Sequence, residues 1–266
     1  MNKRRRIGLI VVATTLLTGG LAASLIYAHN KYDSLICNML DVKIYAIDSN
    51  IFITKDEVLA LFQKHELIYF GAKVKELPIA AMENLLQKHT HIKTVNVYAG
   101  IDGVLHIDIV QRRPILRVYN KKYNFYMDGE GFVMHIDYRH PSYVPIVNGG
   151  ISLPFSADFE GDMLQFLTDE KITDSTALLL LAFCKYIDAH PFWKNQIEQI
   201  YFTNNHNIEL IPRVGAHIIR LGTLDNYSYK LAKLLTVYKK GFRIKNWNNY
   251  KIIDLSYSNQ VVCKRI

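Results

Sequence analysis

From Ile7 to Ala28 the chain is apolar without a single charge, and only Thr14, Thr15, Thr18, Ser24 and Tyr27 carry polar side chains. At about 1.5 Å per residue such a run makes a helix roughly 33 Å long, enough for a hydrocarbon core near 30 Å. The hydroxyls can bond back to the helix's own carbonyls, and Gly8, Gly19 and Gly20 are tolerated in a membrane helix. No later run matches it. Ala177–Cys184 is apolar over eight residues between Asp174 and Lys185, which fits a buried helix of a globular domain.

Beyond residue 40 the period shortens. Val42, Ile44 and Ala46 alternate as in a strand. Thr54-x-x-Glu57 is a capping box that opens a helix to about His65, striped by Val58, Leu61 and Phe62. Pro78 takes the place of a first helical residue, and Ile79, Met82 and Leu86 stripe a second helix ending near His89. Two alternating strands follow, Thr94–Ala99 and Val104–Val110, joined at Asp102-Gly103. The order strand, helix, helix, strand, strand gives a small sheet with both helices on one face. Arg112-Arg113-Pro114 closes this module, because proline marks the end or edge of a strand.

The remainder is strand-rich. Tyr123–Met127 and Phe132–Ile136 flank the turn Asp128-Gly129-Glu130-Gly131. Ile197–Phe202, Ile208–Ile211 and His217–Leu221 continue, and Lys251–Ser256 and Gln260–Lys264 close the chain. Two helices interrupt, Thr173–Ala189 and Asn226–Lys240, the second with Leu231, Leu234, Leu235 and Tyr238 on one face and Gly241 as its stop. The fold class is α+β: an N-terminal transmembrane helix, a β-α-α-β-β module, then a mostly antiparallel β domain with added helices.

Charge gives the first helix a direction. Of the net +8, Lys3, Arg4, Arg5, Arg6 and Lys31 supply five, and residues 32–266 hold 27 basic against 24 acidic side chains. Arg4, Arg5 and Arg6 flank the apolar run, so the positive-inside rule keeps residues 1–6 in the cytoplasm and exports the rest. A cleaved signal peptide is the competing reading, but its apolar core is usually 7–15 residues and this run is longer. With the basic residues spent on the membrane flank, no basic patch for nucleic acid is implied. Half of the residues are apolar and 21% are charged, a globular composition.

The chemistry of catalysis is missing from the pattern. There is no phosphate loop, dinucleotide fingerprint or nucleophile elbow. The ten histidines are scattered, and the tightest pair, His89 and His91, sits at a helix end with no third ligand implied. Asp128-Gly129-Glu130-Gly131 supplies two carboxylates where a calcium loop needs about six oxygen positions, so it reads as a tight turn. Cys37, Cys184 and Cys263 have no CxxC spacing, and Cys184 lies in an apolar run that favours a buried thiol. The expectation is a non-enzymatic protein with no cofactor, metal or small-molecule substrate.

In this order the motifs resemble the bacterial cell-division family FtsQ/DivIB, in a Bacteroidota-like branch, and the first module resembles a POTRA domain. Gln111-Arg112-Arg113-Pro114 is similar to the family's acidic-or-Gln, Arg, x, Pro junction. Met127-Asp128-Gly129-Glu130-Gly131 is similar to its hydrophobic-Asp-x-x-Gly turn, and Pro145 to Gly149 to its Pro-x-x-x-Gly step. Val214–Gly222 followed by Lys230-Leu231 resembles its Gly…Leu-Gly…Lys-Leu region, and Ile253-Asp254-Leu255-Ser256-Tyr257 its Val-Asp-Leu-Arg-Tyr strand. Two departures stand out: Gln111 for the more usual Glu, and Ser256 where Arg is common.

The resemblance implies a divisome scaffold in the inner (cytoplasmic) membrane at the septum. It would be single-pass type II, with its N-terminus cytoplasmic and its bulk periplasmic. The implied organisation is a tail over residues 1–6, a membrane helix over 7–28, a linker over 29–40, a POTRA-like domain over 41–113 and a β domain over 114–266. The implied partners are FtsB/DivIC-like and FtsL-like single-pass proteins, bound mainly by strand addition at the last strand. On this chain the matching residues are Asp254, Leu255, Ser256, Tyr257, Gln260, Val261 and Val262. An exposed strand edge offers unpaired amides and carbonyls, and side-chain pockets add selectivity. Tyr257 is singled out as an anchor against its plainer role as a core aromatic on the last helix, and Asp254 has the plainer role of ordering the strand end. Two other classes share the general pattern. A POTRA-bearing envelope-assembly or export component uses the same edge pairing, and a membrane-anchored periplasmic wall enzyme would show a clustered acid–base or metal site.

Overall fold

The computed structural model describes residues 3–46, 51–173, 176–204, 206–241 and 249–266, with residues 3–13, 28 and 241 described by their backbone alone. The chain forms two compact units, Met1–Tyr45 with Ile53–Gln111 and Ala46–Phe52 with Arg112–Ile266.

In the first unit, helix α1 (Lys3–Asp33) runs through the whole apolar stretch. From Thr14 to Tyr27 every side chain is exposed, and Leu16, Leu17, Leu21, Leu25 and Ile26 lie between 63 and 76% accessible. Thr18 Oγ1 donates to the Thr14 carbonyl at 3.0 Å and Ser24 Oγ to that of Leu21 at 2.8 Å, the back-bonding an apolar environment requires. Among the described residues no helix is long and apolar enough to cross a membrane. The side chains of Arg4, Arg5 and Arg6, and of residues 7–13 and 28 of the expected span, lie outside the described ones.

The rest of this unit is a three-stranded sheet under two helices. Its elements are β1 (Met39–Tyr45), α2 (Lys55–Lys64), a 3-10 turn (Val74–Glu76), α3 (Ile79–Gln87), β2 (Ile92–Ala99) and β3 (Val104–Gln111). The capping box forms as expected: Glu57 N donates to Thr54 Oγ1 at 3.3 Å and Thr54 N to Glu57 Oε2 at 2.9 Å. Pro78 departs by one position. Its ψ of 56° is not helical, so it serves as the N-cap, and its carbonyl accepts from Met82 N at 3.0 Å. Strand β3 lies in the middle, parallel to β1 and antiparallel to β2. Leu105, Ile107 and Ile109 on its inner face are fully buried against Val58 and Phe62 of α2 and Met82 and Leu86 of α3. Each such side chain contributes roughly 1.5–3 kcal/mol, which makes this alternating strand the organiser of the unit.

Among the described residues the second unit is built on ten strands. In chain order these are β4 (Pro114–Tyr119), β5 (Asn124–Asp128), β6 (Phe132–His135), β7 (Ile146–Gly149), β8 (Gly161–Asp162), β9 (Ile197–Phe202), β10 (Ile208–Pro212), β11 (Ile218–Gly222), β12 (Tyr250–Asp254) and β13 (Val262–Arg265). Its helices are α4 (Met163–Asp169), α5 (Thr176–Ala189), α6 (Pro191–Gln196) and α7 (Tyr227–Thr236), the last followed by a π-helical turn, Val237–Gly241. Across the sheet the strands run β13-β12-β11-β10-β9-β7-β4-β5-β6-β8. Most neighbours are antiparallel, while β4/β7, β7/β9 and β11/β12 are parallel. A parallel pair needs a long crossover: α4, α5 and α6 lie between β7 and β9, α7 lies between β11 and β12, and the strands β5 and β6 lie between β4 and β7.

Leu180, Phe183, Cys184 and Ile187 of α5 and Leu231 and Leu234 of α7 are buried in the core of this unit with Trp193. Burial pushes the Cys184 thiol well above its usual range, and all three cysteines are free. Asp174, the expected boundary of the first of these helices, lies outside the described residues. Strands β4, β7 and β8 and helices α4 and α6 are additions to the sequence reading. Each is short, and β4 begins at the proline that marks a strand end in the sequence. Proline is acceptable as the first residue of a strand, because the ladder bond it lacks is not yet required.

Candidate partner-binding edge

The C-terminal flank of the sheet is assembled from α7, β11, β12 and β13. Leu231 and Leu234 fix α7 through its apolar stripe, which leaves Lys233 outside. Its ammonium donates to the carbonyls of Tyr257 at 2.6 Å, Ser258 at 3.0 Å and Gln260 at 3.4 Å. One cation thus gathers the carbonyls of the turn between β12 and β13. Asp254 orders the other side of that turn, its Oδ1 accepting from Ser256 N at 2.9 Å and from Ser256 Oγ. Arg220 of β11 bridges the strands, with Nε 3.2 Å from Glu209 Oε1 and Nη1 3.6 Å from Asp254 Oδ2.

Strand order decides which edge is open. Strand β12 is parallel to β11 on one side and antiparallel to β13 on the other, with Asp254 opposite Val262 and Ile253 opposite Cys263. Strand β12 is therefore no free edge, because the chain's own final strand covers it, and residues 255–257 lie beyond the paired register. The outer side of β13 has no strand beside it among the described residues. Val261 and Cys263 are half-buried and pack on the core, which holds β13 in place, and burial pushes the Cys263 thiol up.

The expected contact residues divide accordingly. Leu255 is fully buried, and its N–H donates to the Arg220 carbonyl at 2.8 Å, so its side chain anchors the strand end from inside. Asp254 and Val261 are half-buried. Ser256, Gln260, Tyr257 (50% accessible) and Val262 (42%) are exposed. Tyr257 is thus a surface residue of the turn and not a core aromatic. Lys264 and Arg265, also exposed, put positive charge on β13, a common guard against indiscriminate edge pairing. The sequence reading missed Lys233 and Arg220. Their roles depend on strand order, and no local spacing announces a lysine that reaches a turn 24 residues away.

The other motifs organise the unit. Asp128 Oδ1 accepts from Glu130 N at 2.8 Å and Phe132 N at 2.9 Å, while Oδ2 accepts from Arg112 Nη1 at 2.9 Å. The Arg112 guanidinium lies 3.5 Å from the centre of the Phe132 ring. Asp128 is thus committed to the turn. Arg113 forms a two-point ion pair with Asp188, whose carboxyl it holds below the usual carboxylate range. Lys194 Nζ is 3.2 Å from the same carboxylate. Arg113, Asp188 and Lys194 help line a depression of about 320 Å³, where the charges pair with one another. Among the described residues no three His, Cys, Asp or Glu side chains group to hold a metal ion.

Comparison with known families gives two matches. A family model described as FtsQ/DivIB, C-terminal related, matches residues 113–264. A model described as a POTRA-like domain matches residues 35–110. Nothing among the curated proteins matches the chain.

Proposed function

Because the chain belongs to the FtsQ/DivIB C-terminal related family and carries a POTRA-like domain, we propose that it is a non-enzymatic scaffold of the bacterial division machinery. It is held in the cytoplasmic membrane by α1, with residues 1–6 inside and the chain beyond residue 28 outside, at the septum. It binds FtsB/DivIC-like and FtsL-like single-pass proteins by adding a strand of the partner to β13. The observation that carries this reading is the family match over residues 113–264, which includes nearly all of the open-edged strand β13.

Magnitudes decide what the edge must do. A net backbone hydrogen bond contributes about 1 kcal/mol. The four residues of β13 would therefore supply a few kcal/mol, which alone falls short of an association cost of about 4–15 kcal/mol. Strand pairing sets register, and side chains must supply the rest. Tyr257, Val262 and Gln260 are the exposed groups beside the edge, and Lys264 and Arg265 favour an acidic partner segment.

Co-purification of the tagged full-length chain from membranes in mild detergent tests the assignment. Recovery of two single-pass division proteins is the expected result. Recovery of β-barrel assembly components in their place contradicts it.

A further inference from the structure

One end of the first unit gathers exposed apolar side chains, and it is the end from which α1 leaves. The backbone fixes this. Val74 N donates to the Leu35 carbonyl at 2.9 Å, Cys37 N to that of Ala72 at 2.9 Å, and Gly71 N to that of Cys37 at 2.8 Å. Asn38 N donates to the Gly103 carbonyl at 3.0 Å. The segment after α1 is thus stapled between the 67–74 loop and the turn joining β2 to β3, and Cys37 is fully buried there. Around this seam Ile68 is 72% accessible, Phe70 69% and Ile101 89%, and Ile36 and Met39 are exposed as well. The first loop also borders an open, mostly apolar groove of about 450 Å³ lined by Leu67, Ile68, Tyr69 and Phe70, with Gln63 and Glu66 also at its wall.

We propose that this end of the first unit rests on the lipid bilayer, with Ile68, Phe70 and Ile101 entering the interface. The inference depends on the membrane-anchored reading of α1. The occupant follows from distance. From the end of the apolar run at Ala28 to the end of α1 at Asp33 is five helical residues, about 7.5 Å. A leaflet's headgroup layer is itself roughly 5–8 Å thick. The stapled segment begins two residues later, at Leu35, so no spacer lifts the unit off the surface. Tyr27 and Tyr32 are exposed on the same stretch of α1, at the level where amphipathic aromatics settle. Lys31 is exposed beside them, and the nearby carboxylates of Asp33 and Glu76 are matched by Lys75 at 3.0 Å and Lys73 at 3.5 Å. Glu66 and Asp102 remain near the loop tips, where they would stay in the headgroup layer.

The test uses the full chain reconstituted in vesicles of phosphatidylethanolamine and phosphatidylglycerol, with a trace of phospholipid carrying a diazirine high on one acyl chain. After illumination, labelled peptides are mapped by mass spectrometry. Label is expected on residues 7–28 and on residues 66–72. The double substitution Ile68→Glu and Phe70→Glu, at exposed positions outside the core, should cut label on 66–72 at least fivefold and leave 7–28 unchanged. Label on 7–28 but not on 66–72 overturns this inference and leaves the anchor standing. Absence of label on 7–28 overturns the anchored reading and this inference with it. Equal label on 66–72 in the double variant also overturns it.

Discussion

Gly149→Ala should destabilise the second unit by about 3–5 kcal/mol, enough to lower its unfolding temperature by roughly 10 °C. Gly149 ends the central strand β7 at φ +88°, a conformation that costs an L-residue about 1–2 kcal/mol. Space adds a larger penalty. A Cβ there would stand 2.2 Å from the Phe202 carbonyl oxygen, the same oxygen that accepts from Gly150 N at 2.8 Å. The methyl group must push β7 away from β9 and break that bond, leaving a polar group unpaired at about 1–3 kcal/mol. Gly161→Ala is the control. Gly161 also has positive φ (+131°), but no heavy atom lies within 4 Å of its Cβ position, so the strain comes without the clash. Thermal unfolding of the full-length variants, followed by tryptophan fluorescence, should show a large shift for Gly149→Ala and a small one for Gly161→Ala. Equal shifts would mean that the close approach to Phe202 is not what requires glycine.

Proline placed singly at Val262, Cys263 and Lys264 should separate binding from folding. Successive residues of an antiparallel strand turn their amides to opposite sides, so three adjacent positions include at least one that faces outward and one that faces β12. An outward amide bonds to nothing within the sheet, and proline is tolerated there on an edge strand. It should therefore leave the unfolding temperature within a degree or two. It should still weaken partner binding by about 2 kcal/mol, roughly thirtyfold, because the incoming strand's carbonyl loses its donor. An inward proline should lower both stability and affinity. If every proline that weakens binding also lowers stability in proportion, β13 serves only as support for some other surface.

The contrast between these two sites explains what could be read along the chain. The capping box at Thr54 and Glu57 and the buried alternation of Leu105, Ile107 and Ile109 are local, and local geometry follows from spacing. The Asp128 turn was legible for the same reason, since its ligands Glu130 N and Phe132 N lie two and four residues away. Strand β7 was not. Its four residues, Ile146 to Gly149, carry too little pattern, and its place between β4 and β9 is set by crossovers. The proposed binding edge was half legible. Tyr257 and Val262 came from resemblance, but that β13 covers β12 follows from strand order, and Lys233 of α7 reaches their turn from a position remote in sequence. Leu255 illustrates the limit: resemblance alone singled it out as a contact residue, and the position is buried.

The most direct measurement of the central claim is hydrogen exchange in the full-length chain, with and without the extracytoplasmic segment of an FtsB/DivIC-like partner. Strand addition at β13 predicts slowed exchange over residues 261–265 at saturation, with β8 at the other end of the sheet and β2 of the POTRA-like unit unchanged. Bound partner that leaves 261–265 exchanging at the free rate, or that protects β8 or β2 in their place, would contradict the account.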